Sequence, residues 1–140
     1  MRLVFMGTPD FAVPTLERLA TSDHEIVSVV TRPDAQKGRG RRVSSPEVKT
    51  AAESLGLPVL QPESLKSKSF QDELRALEPD LFVVVAFLIL PKSLLEVPRH
   101  GSINLHPSLL PKYRGAAPIQ WAVIKGERQT GISTFLLKPK

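Results

Sequence analysis

At 140 residues the chain has the length of one domain, and its 41% hydrophobic and 24% charged content is that of a protein whose core forms in water. No apolar run approaches the roughly 20 residues of a membrane helix, and zero cysteines exclude disulfides, thiolate chemistry and the usual zinc sites. The formal charge of +5 permits a polyanionic partner, and Met1-Arg2 leads straight into a short strand rather than a signal peptide's apolar region, so a cytoplasmic location with no membrane partner is expected.

Leu3-Val4-Phe5-Met6, ended by Gly7, is too short for a helix and reads as a buried parallel strand. Thr8 as N-cap, Pro9 in the first turn and Asp10 at the positive end of the dipole predict a helix next, with Phe11, Leu16, Leu19 and Ala20 at roughly helical spacing. Ile26 to Val30 is the second strand, so the chain opens with a right-handed β-α-β unit. Gly7 stands alone, which argues against a dinucleotide-binding glycine fingerprint.

From Arg32 to Val43 the chain is basic and glycine-containing, and it reads as an exposed, mobile loop. Arg32, Lys37, Arg39, Arg41 and Arg42 fall here with only Asp34 opposing them. Such a run is ordinarily a solvated connection, yet arginine and lysine on a flexible frame also suit phosphate oxygens. Ser44 to Glu47 has capping-box spacing ahead of a helix with Val48, Ala51, Ala52 and Leu55 on one face, ended by Gly56. Pro58-Val59-Leu60 reads as a short strand near a sheet edge.

Ser69 can cap a helix running through Leu77, which Pro79 prevents from continuing. Asp80 to Phe87 is the most apolar run in the chain, as expected of a central strand covered on both faces. Phe87, Leu88, Ile89 and Leu90 carry the chain past it, Leu90 reading as core, and Pro91 starts a short helix through Glu96. Nearer the C-terminus, Ala117 to Lys125 reads as a helix in which Ile119, Ala122 and Val123 share a face and Trp121 packs. Thr130 to Leu137 reads as the last strand.

Between these, Ser102 to His106 reads as extended, so Asn104 and His106 point to one face and Ile103 and Leu105 to the other. An amide donor for a developing oxyanion beside a group of near-neutral pKa suits acyl-type transfer. A bare Asn-x-His has an alternative reading, a turn-opening asparagine and a satisfied strand-end histidine. After His106 the chain enters a constrained loop punctuated by Pro107, Pro111, Gly115 and Pro118, in the place where an open α/β sheet commonly keeps its site.

The run Asn104-Leu-His-Pro-Ser-Leu-Leu-Pro-Lys-Tyr-Arg-Gly-Ala-Ala-Pro-Ile-Gln-Trp121 resembles the signature of the folate-dependent formyltransferases, and Gly7-Thr-Pro-Asp-Phe-Ala-Val-Pro14 resembles the opening of the branch acting on methionyl initiator tRNA. The resemblance covers the whole chain. It implies an α/β fold, a Rossmann-like mostly parallel sheet with helices on both faces, C-terminally incomplete. It implies formyl transfer from 10-formyltetrahydrofolate as co-substrate, with no metal, to the amine of initiator methionyl-tRNA. Asn104 would stabilise the oxyanion and His106 would move the amine proton. Phe87, Leu88, Ile89 and Leu90, with Ser108, Leu109, Leu110 and Pro111, would line the folate site, although Leu88 departs from the Ala-Tyr-Gly or Ala-Phe-Arg pattern typical there. Arg32, Lys37, Arg39, Arg41 and Arg42 would contact the tRNA.

The same resemblance leads to the expectation that residues 1–140 are the N-terminal part of a catalytic domain. A carboxylate to orient His106 is expected in an Asp-Thr-Gly-type loop beyond Lys140, a separate C-terminal OB-like domain is absent, and the chain alone is expected to transfer formyl groups poorly. Two other functions compete with this one. The first is formyl transfer to a small amine, glycinamide ribonucleotide or an amino sugar nucleotide; the second is a non-catalytic RNA-binding module built on the basic loop. A dehydrogenase-like nucleotide-binding domain is a distant third.

Overall fold

The computed structural model describes residues 1–37, 40 and 42–139. Among the described residues, eight strands and five α-helices build the fold: β1 (Arg2–Gly7), α1 (Val13–Ala20), β2 (Glu25–Val30), β3 (Ala35–Lys37), β4 (Arg42–Ser44), α2 (Glu47–Ser54), β5 (Val59–Leu60), α3 (Lys68–Ala76), β6 (Leu81–Val85), α4 (Lys92–Leu95), β7 (Ser102–His106), α5 (Pro118–Ile124) and β8 (Ser133–Leu136). Six strands form one sheet in the order β5-β2-β1-β6-β7-β8, all parallel except β8, which runs antiparallel to β7. The Rossmann-like expectation holds.

The apolar runs explain the order. β1 and β6 lie inside the sheet and are buried on both faces, so nearly every side chain in them must be apolar. Leu3, Phe5, Val83 and Val85 meet Leu16 of α1 and Val48 of α2 on one face. Val4, Met6, Phe82 and Val84 meet Phe70 and Leu74 of α3 and Leu94 of α4 on the other. Burying one such leucine or phenylalanine is worth about 1.5–3 kcal/mol. Val59 and Leu60 pair only with β2 at the sheet's edge, as Pro58 foretold.

Several boundaries differ from expectation. Thr8 caps no helix: Pro9 precedes a single 3-10 turn at Asp10–Ala12, and α1 follows with Ala12 as its cap. Thr8 instead gives its carbonyl to the Val48 N–H and places its hydroxyl 3.5 Å from that of Thr31. Ser44 is likewise no cap, because its backbone is spent pairing with Ala35 while Pro46 takes the cap position of α2. α3 starts earlier than predicted, with Ser67 Oγ accepting from the Phe70 N–H at 3.4 Å.

Within the stretch from Arg32 to Val43, expected as an exposed, mobile loop, the described residues are exposed but part of them is regular. β3 and β4 pair antiparallel as a separate two-stranded ribbon, Gln36 opposite Val43 and Lys37 opposite Arg42. On α5 the expected apolar face is only partly used: Ala122 is buried, whereas Ile119, Val123 and Trp121 are exposed.

Candidate active site

β6, β7 and β8 position the site. Ile103 and Leu105 pack against the core on one face of the sheet. Asn104 and His106 therefore occupy the other, roughly 7 Å apart along the strand. In register, Asn104 lies between Val84 of β6 and Phe135 of β8, and His106 lies opposite Ser133. The Asn104 side chain helps to wall a cavity of about 590 Å3 together with Val84, Phe87, Leu90, Phe135 and Leu137. His106 opens on an adjoining cavity of about 510 Å3, and the two share Gly115 and Phe135. These volumes lie in the range of small-molecule sites, whose usual make-up is an apolar wall with a few placed polar groups.

The apolar wall is made by a backbone reversal at the end of β6. Ala86 adopts a left-handed conformation, φ 50°, which turns the chain out of the sheet. Phe87, Leu88, Ile89 and Leu90 then run along the cavity rim. Leu90 is buried and ties this loop to the core, while Ile89 is 81% exposed and offers its side chain to solvent. Pro91 ends the loop as the cap of α4. Lys92 and Lys138 bring positive charge to the same rim.

On the histidine side, His106 Nε2 lies 2.8 Å from the Tyr113 carbonyl oxygen. A carbonyl only accepts, so Nε2 carries the hydrogen, and the neutral ring keeps its lone pair on Nδ1. Tyr113 is itself left-handed, φ 59°, and its hydroxyl donates to Glu127 Oε1 at 2.7 Å. That hydrogen bond to the carboxylate raises the phenol above its ordinary value. Two serines hold the loop between: Ser108 Oγ donates to the Lys112 carbonyl at 2.7 Å. Ser133 Oγ donates to the Ser108 carbonyl at 2.7 Å and accepts from the Leu110 N–H at 3.1 Å.

The structure thus brings Phe87, Leu88, Ile89, Leu90 and Asn104 to one cavity, and Leu110, Pro111 and His106 to the other. Ser108 and Leu109 are placed otherwise. The Ser108 side chain is fully buried and committed to its own loop, and Leu109 faces a separate shallow depression with Gln129 and Thr130. Arg32 and Arg42 are exposed beside and on the ribbon. Lys37 contributes its backbone to β3, and Arg39, Arg41 and the Lys37 side chain lie outside what the structure describes. Sequence reasoning missed Phe135, Leu137 and Gly115 as cavity walls and the Tyr113–Glu127 pair. The spacing of two between Phe135 and Leu137 was the available signal for the first two; nothing local links two residues 14 apart.

A family model described as formyl transferase matches residues 1–139. The methionyl-tRNA formyltransferase of Geobacter metallireducens is 56% identical over 96% of this chain and 44% of its own length, and that of Caldanaerobacter subterraneus is 55% identical over 98% and 45%. The chain therefore spans less than half the length of these relatives. Among solved structures, the phosphoribosylglycinamide formyltransferase of Anaplasma phagocytophilum superposes with a TM-score of 0.76 at 23% identity, over all of this chain and 66% of that one, which speaks to fold.

Proposed function

The chain belongs to the formyl transferase family, and from that premise we propose that it moves a formyl group from 10-formyltetrahydrofolate to the amine of initiator methionyl-tRNA, as the N-terminal part of a catalytic domain. The observation that carries the reading is the pairing on β7: a carboxamide facing an apolar cavity, and two residues on an imidazole whose Nε2 is held by a backbone carbonyl. The apolar rim from Phe87 to Leu90 suits the ring system of a folate, and Lys92 and Lys138 suit its carboxylates.

In this reading the amine lone pair attacks the formyl carbon. The Asn104 amide donates to the oxygen that becomes negative in the tetrahedral intermediate. His106 accepts the amine proton on Nδ1 and returns it to the departing folate nitrogen as the C–N bond breaks. The exposed cations Arg32 and Arg42 favour a phosphate-rich amine carrier over a small amine.

The test is binding of 5-formyltetrahydrofolate, a stable relative of the donor, followed by calorimetry or intrinsic fluorescence. Saturable binding is expected, weakened by Asn104→Ala and by Ile89→Asp. A chain that ignores the folate, or binds it equally well after both substitutions, overturns the reading.

A further inference from the structure

At the base of the ribbon, three residues far apart in sequence converge. Asp34, just ahead of β3, receives Lys49 Nζ on both oxygens at 3.1 and 3.0 Å and Gln61 Nε2 on Oδ1 at 2.7 Å. The same Gln61 amide donates to the Arg32 carbonyl at 3.0 Å. Lys49 stands on α2, and Gln61 comes directly after β5, whose Leu60 carbonyl accepts the Thr31 N–H at 3.1 Å. Both anchors belong to the rigid sandwich. Among the described residues, the ribbon pairs with no strand of the main sheet.

We infer that Asp34, Lys49 and Gln61 form a clamp that sets the pose of the β3–β4 ribbon for a polyanionic RNA partner. An isolated exposed ion pair would carry no such weight. Here the Lys49 and Asp34 side chains are only 20% and 30% exposed, and a neutral amide completes the carboxylate's shell while tying down the adjacent backbone. The Gln61 hydrogen bond and then the Lys49 hydrogen bond hold the Asp34 carboxyl below its ordinary value.

The clamp has two effects. It turns the one acidic side chain of the basic segment onto the helix lysine, so its charge is neutralised away from Arg42. It also orders the start of the ribbon before any partner arrives, which removes part of the ordering cost from binding. Lys49, spent on Asp34, is a positioning residue rather than a phosphate contact.

The inference rests on the reading of the ribbon as an RNA contact, and opposite signs separate it from plain electrostatics. Binding of an initiator-tRNA transcript is measured by fluorescence anisotropy at one ionic strength. Asp34→Ala raises the net charge, so charge alone predicts tighter binding. The clamp predicts binding weaker by roughly three- to ten-fold, with a similar loss for the charge-neutral Gln61→Ala. Hydrogen exchange is expected to quicken at Gln36 and Val43 while amides of β1 stay protected, which shows that the variants fold. If Arg42→Ala weakens binding but Asp34→Ala tightens it or Gln61→Ala leaves it alone, the clamp is wrong and the ribbon's role stands. If Arg42→Ala is also silent, the ribbon's role falls and the clamp's purpose with it.

Discussion

Replacing Gly7 by alanine tests how the cavity rim is held. A Cβ at this position would stand 2.7 Å from the Val85 carbonyl oxygen, 2.9 Å from Ala12 Cβ and 3.1 Å from the Phe5 ring. The first two obstacles are a backbone atom in a central strand and a methyl at the start of α1, and neither can rotate aside. Gly7 pairs with Val85 in the sheet, so the shift must pass to Ala86 and the Phe87–Leu90 rim. Overpacking of this kind costs about 1–3 kcal/mol, less about 0.4–1 kcal/mol returned by the stiffer unfolded chain. A net loss of roughly 1.3 kcal/mol lowers Tm by roughly 4 °C in a chain of this size. Thermal unfolding by circular dichroism, with folate titration alongside, reads both effects. Gly131→Ala is the control: its nearest obstacles are Leu109 Cδ2 at 2.5 Å and Cγ at 3.1 Å, on a side chain 50% exposed and able to swing into solvent. If Gly7→Ala melts like the parent, or both variants lose alike, an immovable neighbour is not what sets the cost.

Leu74→Ala empties a fully buried site between α3 and the sheet and is expected to cost about 2–5 kcal/mol in urea unfolding. Ser133→Ala removes two hydrogen bonds that hold the Ser108–Leu110 loop; a loss of about 1–3 kcal/mol is expected. It should also change the His106 ring signals in NMR, because the loop carries the Tyr113 carbonyl. Asp80 is held below its ordinary 3.8, chiefly by the Arg2 backbone N–H at 2.8 Å. Its contribution is complete above about pH 5, where both states are ionised, and fades as pH falls through 3.8 and then the lowered value, since the unfolded chain protonates first. Asp80→Asn should therefore flatten the acid limb of the urea midpoint against pH; an unchanged limb would assign it to other carboxylates.

The interior of the sheet was legible because central parallel strands must be apolar throughout. Val4 to Met6 and Phe82 to Val85 admit no other reading. Asn104 and His106 were legible for a related reason, since strand alternation alone puts them on one face. Caps were harder. Ser64, Ser67 and Ser69 all stand near the start of α3, and only the seating of Phe70 and Leu74 in the core selects Ser67. The ribbon escaped because strands of three residues, mostly polar, leave no periodicity to detect. Trp121 was expected to pack on account of its area, yet α5 buries only Ala122 and leaves the indole 48% exposed. The far wall of the cavity depended on β8 running antiparallel, a pairing direction that no residue of β8 encodes by itself.

Among the described residues, the β3–β4 ribbon pairs with itself and with no strand of the main sheet. Its length can change between β3 and β4 without shifting the register of β7, which carries Asn104 and His106. On the proposed reading, choice of acceptor and transfer chemistry sit on separable pieces of one chain. On that reading, grafting a ribbon of different length or charge changes the acceptor and leaves the proposed donor cavity as it is.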